Sequence, residues 1–435
     1  MASEGWRRLP IDDVKAPRAG AIAIGPFGSR MKSDRYEATG VPVIRGYNIS
    51  DTRALTGGFA YVSQETADEL RASNVFAGDL VFPHRGAIGQ VGIVPIDGVP
   101  RYMLSTSLMK LTCDPSVVDP VFLFYFFRSG QGRHELLRNA STVGTPGIGQ
   151  PLASLRSITV PVPPLAEQRA IADILGTLDD KIELNRRMNE TLEAIARALF
   201  KSWFVDFDPV RAKSEGRDPS LPPHLADLFP DSFEDSELGE VPEGWRVGRF
   251  GDVAEHSRRG VQPDAIDAST PYIALEHMPK HCIALSEWGV ADGVGSHKFE
   301  FSRGEILFGK LRPYFHKVGV APLDGVCSTD IVVVKPRQED WFGFVLGHVS
   351  SDAFVEYTNA GSTGTKMPRT SWGDMARYPV VLPSDLIARA FTAQIRPSVA
   401  RVLAAIHESR TLADVRDTLL PRLISGELRR EEAAE

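Results

Sequence analysis

GDLVFPHRGAIGQVGIV, residues 78–94, returns 226 residues later (304 − 78) as GEILFGKLRPYFHKVGV, residues 304–320. Each is an apolar run opened by Gly and an acid, then a polar turn, then a second apolar run, the pattern of two strands around a connection. The repetition extends outward. EGWRRLPIDDV (Glu4 to Val14) returns as EGWRVGRFGDV (Glu243 to Val253), and STVGTPGIGQPLASLRSITVPVPP (Ser141 to Pro164) returns, worn, as STGTKMPRTSWGDMARYPVVLPSD (Ser362 to Asp385). The offset drifts from 239 (243 − 4) through 226 to 220 (Gly364 against Gly144), so the copies share a fold and differ in loop length. A period this long is a duplicated domain rather than a solenoid. Two like units on one chain suit a ligand with two like sites, of which duplex DNA is the commonest.

A long helix is expected after each copy. From Ile171 a 4–3 spacing runs Ile171, Leu175, Leu178, Ile182, Asn185, Asn189, Leu192, Ala196, Leu199, Trp203, a coiled-coil seam with two polar residues in its middle. Those asparagines are expected to fix register, since one buried polar seam position selects one alignment. The second copy ends in a weaker seam, Ile395, Val399, Val402, Ile406, Leu412, Leu419, with Pro397 expected to interrupt its first turn. The fold class expected is α+β: two similar β-rich domains joined and separated by two long helices packed as an antiparallel coiled coil about a pseudo-two-fold. The divisions are 1–160, first recognition domain; 161–205, central helix; 206–242, acidic Pro-rich linker with little core of its own; 243–382, second recognition domain; 383–428, distal helix; 429–435, tail.

Composition sets limits. The 435 residues carry a formal charge of −7, but residues 206–242 alone hold ten acids against three bases, so the rest sums to zero. Residues 1–150 hold sixteen bases and fourteen acids, and 243–380 fifteen and seventeen, so basic faces must come from arrangement. Three distant cysteines, Cys113, Cys282 and Cys327, fit a reducing compartment and no zinc spacing. The longest strongly apolar run, VFLFYFF (residues 121–127), is too short to span a bilayer, and the opening residues lack a signal pattern. Hence no membrane, no metal and a cytoplasmic location are expected.

Catalytic patterns are wanting. The nearest approach to a methyltransferase Pro-Pro-aromatic loop is Phe207-Asp208-Pro209-Val210, and neither Pro230-Asp231 nor Pro263-Asp264 is followed by the Asp/Glu-x-Lys of a metal nuclease. No phosphate-binding GxxxxGK[ST], HExxH or GxSxG occurs, and the Gly25-to-Arg30 loop reads as a turn.

The central run VPPLAEQRAIADILGTLDDKIELNRRMNETLEAIARALFKSWFVDFDPVRAKSEGR (residues 162–217), with LADLFPDSFEDSELGEVPEGW after it, resembles the DNA-specificity subunit of type I restriction–modification systems almost phrase for phrase. GPFGSRMKSDRYEATGVPVIRGYNI (residues 25–49) resembles one class of its target-recognition domains, as do the Gly78 and Gly144 runs; the second copy departs more, with SDLIARAFTAQI for LAEQRAIADIL. The resemblance implies a non-catalytic subunit that reads bipartite double-stranded DNA, two methyltransferase subunits and restriction–translocase subunits as partners, and S-adenosylmethionine, ATP and Mg held by those partners rather than by this chain. Leu165 to Gln168 and the helices are expected to face them. A methylation-only or other phage-defence complex, or a DNA-modifying enzyme with a divergent site, remains open.

Turn-borne polar residues are the candidates for DNA contact. In the first copy these are Arg30, Lys32 and Arg35 for phosphates, and Arg45, Asn48, His84, Arg85, Gln90, Thr145 and Gln150 for the grooves. In the second they are Arg258, Arg259, Glu276, His277, Lys310, Arg312, Tyr314, Lys317, Lys366 and Arg369.

Overall fold

The computed structural model describes residues 5–27, 30–50, 52–96, 98–141, 144–362, 364 and 367–428. It is α+β and divides into two units: one takes the chain up to Leu184 and from Thr411 onward, the other Asn185–Arg410.

In the first unit, Leu80–Pro83 is a continuous apolar strand buried on both faces, and it lies inside a four-stranded sheet. Leu108–Leu111 pairs antiparallel with it and with Ile22–Ile24, while Gly92–Ile93 covers its other edge. Against this sheet packs the helix Pro120–Arg128, started by Pro at its first position and by the Asp119 carboxylate accepting from the amides of Val121 and Phe122. Every residue from Phe122 to Phe127 has no exposure, so this helix is core all round. The next helix, Gly130–Leu137, needs Gly132, because a Cβ there would stand 2.0 Å from the carbonyl oxygen of Phe126. A five-stranded sheet holds the parallel pair Val41–Ile44 and Tyr102–Leu104 at its centre. The chain start is tied in by Arg7–Pro10 pairing with Thr159–Val162.

The second unit repeats this. Ala254–His256, Ile331–Pro336, Ile306–Gly309 and Val318–Val320 form the same strand order, and Arg246–Arg249 pairs with Pro379–Leu382. Its five-stranded sheet again has a parallel central pair, Pro271–Ile273 beside Gly325–Cys327. The fifth strand differs. Tyr36–Glu37 adds next to Ala60–Val62, whereas Gly260–Val261 adds beside Lys298–Phe301, on the opposite edge of the corresponding sheet.

Two expectations need correction. Residues 206–242 are not a linker without a core: they fold as helices Asp208–Ser214 and Pro223–Ala226 and a hairpin, Phe233–Ser236 with Gly239–Pro242. Phe207, Val210, Leu225 and Phe229 join Trp203, Phe204 and Trp245 in the second unit's core. Acid-rich composition hid four well-spaced apolar anchors. Nor does Pro397 interrupt its helix, which runs unbroken from Asp385 to Ile424. Phe391, Ile395, Val399 and Val402 are buried on one face while Pro397 is exposed, so packing overrides the missing amide.

The other long helix is Leu165–Phe204, also 40 residues. In the second unit, Asn185 meets Ser409 (3.2 Å) and Trp203 meets Phe391 (ring centroids 5.4 Å), so eighteen residues forward on one helix are eighteen back on the other. The segments there are antiparallel. In the first unit, Asp179 accepts hydrogen bonds from Arg416 (2.7 Å) and from the Tyr125 hydroxyl (2.7 Å), all three out of solvent. Ile171 and Leu175 share a core cluster with Leu420, Leu423 and Ile424.

Arg416→Ala strands the Asp179 carboxylate and is expected to cost about 3–5 kcal/mol in denaturant unfolding, whereas Asp179→Leu with Arg416→Met recovers most of it. A single-variant loss below about 1 kcal/mol would remove the triad's structural role. A second expectation concerns acid. Burial among Phe200, Phe344 and Tyr378 pushes His348 down to about 3 from an ordinary 6.5. The unfolded chain takes up that proton below about pH 6.5 and the folded chain only near 3, so stability drains as pH falls through this window. His348→Leu should flatten the acid limb of a melting-temperature profile; an unchanged limb refutes the assignment.

Candidate nucleic-acid interface

The turn after the central strand is built identically in both units. His84 donates its amide to Ser107 (2.9 Å) and accepts from Ile148 (2.9 Å), and Gly86 donates to Pro146 (2.8 Å). Correspondingly, Lys310 donates to Asp330 (2.9 Å) and accepts from Thr370 (3.0 Å), and Arg312 donates to Pro368 (2.7 Å). Isolated bridges complete each frame, Arg85 with Gly147 and Leu311 with Arg369. Geometry thus sets Arg369 against Gly147, an offset of 222 (369 − 147) rather than the 220 of the worn sequence match. Each bridge carries one arginine, on opposite strands in the two units.

In the first unit this frame opens on a concavity of about 700 Å³ whose lining includes Phe27, His84, Arg85, Thr106 and Thr145. Phe27 is 64% exposed there. It also borders a second hollow of about 710 Å³ with Arg30 and Arg71, where Asp68 and Glu69 supply the opposing charge. The His84 ring hydrogen-bonds the Thr106 carbonyl (3.1 Å), and burial lowers its pKa. Gln150, at φ 47°, starts the helix Pro151–Arg156 and faces a shallower hollow with Asn139 and Ser154. Gln90 and Lys32 are exposed. Arg35 pairs with Glu69 (2.8 Å), and Arg45 lies over the Tyr36 ring (4.8 Å).

In the second unit, Arg258, Arg369 and Asp330 all lie near Lys310. Arg369 pairs with that carboxylate (3.0 Å), and Arg258 donates to the His256 ring (3.2 Å). Burial first, then Arg369 and Arg258, push the Lys310 pKa down against Asp330. Burial, with Arg258 and Lys310 adding to it, pushes His256 down to about 4. Nearby on the chain, Tyr314 is 48% exposed and lies tilted against Phe315 (ring centroids 4.7 Å), over which Lys280 sits (4.4 Å). Arg312 is also close to Phe315 (6.0 Å) and, at φ 52°, turns the chain. Glu276 is exposed.

Four candidates are spent inside the fold. Asn48 has no exposure: its carboxamide accepts from the Arg45 amide (2.9 Å) and donates to the carbonyls of Thr56 (2.8 Å) and Gly58 (3.4 Å). Arg259 forms a fork with Glu305 (3.0 and 2.6 Å). The His277 ring accepts from the Ala274 amide (3.0 Å), and Lys317 donates to the Leu275 carbonyl. Lys366 lies outside the described residues. Gln168, expected on a partner surface, is buried: it accepts from the Asp119 amide (2.8 Å) and donates to the Pro163 carbonyl (2.7 Å). Sequence reasoning missed Phe27, Arg71, Lys280 and Phe315. The only signal for Phe27 was an aromatic set between Gly-Pro and Gly in a turn.

Guanidinium groups and exposed aromatic faces suit phosphates and base edges. Comparison with known proteins agrees. Residues 27–194 match the family model described as the type I restriction modification DNA specificity domain. The chain is similar to the type I restriction enzyme MjaIX specificity subunit of Methanocaldococcus jannaschii, 26% identical over 98% of this chain and 95% of that one. It is similar also to the HindI specificity subunit of Haemophilus influenzae, 25% identical over 92% and 97%. The solved type I S subunit from M. genitalium shares the fold, with a TM-score of 0.59 and 14% identity over 97% of this chain and 96% of that one.

Arg85→Ala should weaken duplex binding by the full chain and reduce the slope of log affinity against log salt by about 1, leaving stability within about 0.5 kcal/mol. Arg259→Ala should do the reverse, lowering stability by about 1–3 kcal/mol because Glu305 loses its partner. Interchanged outcomes would reverse the two assignments.

Proposed function

We propose that the chain is a type I restriction–modification DNA-specificity subunit, as its similarity to such subunits supports, and that each of its units reads one half of a bipartite target. The observation that carries this reading is the doubled turn frame with its transposed arginine. One backbone scaffold used twice with different side chains is what two unlike half-sites require. In the first unit Arg85, Thr145 and Phe27 meet the duplex, with Arg30 and Lys32 on phosphates. In the second, Arg369, Lys310, Arg258 and Tyr314 take those parts. Arginine is suited to guanine, whose two acceptors match its fork, and a good bidentate pair contributes about 1–3 kcal/mol of discrimination.

The family is one of specificity subunits, so the chemistry belongs to others. Two methyltransferase subunits dock on this chain, one for each copy, and restriction–translocase subunits join through them. S-adenosylmethionine, ATP and Mg sit on those partners. No helix among the described residues is long and apolar enough to cross a membrane, and the cytoplasm, where chromosomal DNA lies, is the proposed location.

The long helices act as the ruler between half-sites. Seven residues inserted after Leu184, with a matching seven before Thr411, add about 10 Å of helix, or about three base pairs. Methylated motifs, read by modification-sensitive sequencing of cells expressing the complex, should keep both half-sites and widen the gap by about that number. An unchanged gap refutes the ruler, and methylation without a bipartite motif refutes the reading itself.

A further inference from the structure

We propose that His281, His316 and Asp352, in the second unit, form a binding site for a zinc-like divalent cation. Their ligand atoms all lie within 4.8 Å of one another. They come from three places in the chain: the loop after Met278, the end of the turn that carries Tyr314 and Phe315, and the first residue of the helix Asp352–Ala360.

The argument starts from the His316 ring. It is 6% exposed, its Nε2 lies 3.0 Å from the Ser350 carbonyl oxygen, and its Nδ1 lies 3.2 Å from an Asp352 carboxylate oxygen. Both neighbours are acceptors, and a neutral imidazole has one N–H. If Nε2–H goes to Ser350, as the second shell of metal-bound histidines usually arranges, the Nδ1 lone pair faces a carboxylate. A cation between or beside those two lone pairs would satisfy both. A proton would serve those two groups. The third donor distinguishes a metal, because the His281 ring lies against His316 with centroids 4.5 Å apart and brings a second imidazole nitrogen within 4.8 Å of the other two ligand atoms.

Other observations agree. His281 and His316 both hold left-handed backbone, φ 53° and 49°, and the His281 amide donates to the His316 carbonyl (2.9 Å). Such conformations in residues other than glycine persist where surrounding structure enforces them. A cavity of about 90 Å³ adjoins the three side chains and has room for water as a fourth ligand. Arg197 also lines it, but its guanidinium is occupied by the Glu193 carboxylate (3.4 Å) and the His281 carbonyl (3.5 Å). The Cys282 thiol, beside His281, is engaged by Glu193, to which it donates (3.2 Å), and is not among the three converging groups. Two imidazoles and one carboxylate are ligands for zinc rather than for calcium or magnesium. Zinc–ligand bonds of about 2.0–2.2 Å need the exposed His281 loop to close slightly on the other two. The cation would then staple the loop bearing Lys280 to the turn bearing Tyr314 and Phe315. The site stands independently of how the chain reads DNA.

The test uses the full chain, stripped with EDTA and titrated with zinc chloride, with retained metal counted by mass spectrometry. One equivalent should be held after dialysis, cobalt substitution should give visible absorption of a low-coordinate site, and zinc should raise the melting temperature. His281→Ala and Asp352→Ala, both at exposed positions, should melt like the stripped parent and bind zinc more than about tenfold more weakly. No retained zinc and no thermal response overturn the proposal.

Discussion

Buried polar contacts set how each long-helix segment meets its neighbours. In the first unit the Asp179 carboxylate is closed off between Arg416 on the other helix and Tyr125 on the aromatic helix. An apolar seam tolerates sliding by a turn; a buried carboxylate does not, because the slipped state strands a charge at several kcal/mol. Asp179 thereby fixes two relations together, helix against helix and sheet cap against helix. In the second unit the polar groups are Asn185, which bonds Glu408 and Ser409, and Glu193, which accepts the amides of Ile283 and Ala284. The apolar residues supply most of the stability and these few polar ones supply the register.

Upon that fixed base the duplication keeps backbone and exchanges side chains. Four strands, a turn frame of matching hydrogen bonds and a bridge pair are the same in both units, while the arginine crosses from Arg85 on one strand to Arg369 on the other. A frame whose hydrogen bonds are all main-chain places little demand on the side chains that project from it. That is why the third repeat is worn in sequence and intact in geometry, and why its true offset was hidden by two residues.

The repeat, the α+β class and the two helical seams were legible because they are patterns of apolar spacing, which burial enforces directly. All ten seam positions from Ile171 to Trp203 are buried or half-buried. Individual readers were less legible. Asn48 and Arg45 look alike as turn-borne polar residues, yet the Asn48 amide is consumed by carbonyls eight and ten residues on, and nothing local announces that. Arg259 finds Glu305 across 46 residues, a distance no spacing rule covers. Phe27 failed the opposite way: aromatics are assumed to be core, and this one is largely in solvent. Residues 206–242 misled through composition, since net charge describes their surface and says nothing of the few large side chains beneath it.

If these arginines contact DNA as proposed, the acids beside them bear on selectivity. Arg369 leans on Asp330, and Arg35 on Glu69. A guanidinium held this way is oriented before DNA arrives, so less side-chain freedom is lost on binding. It must also exchange a carboxylate for a phosphate or a base edge, which cancels much of the gain from contact with any sequence. A partner that offers more than the single carboxylate contact, as guanine does with two acceptors, recovers the difference. On that reading, paired arginines in a chain of net negative charge would weaken binding to arbitrary DNA more than binding to the right site, and selectivity would come from the size of that gap rather than from raw attraction.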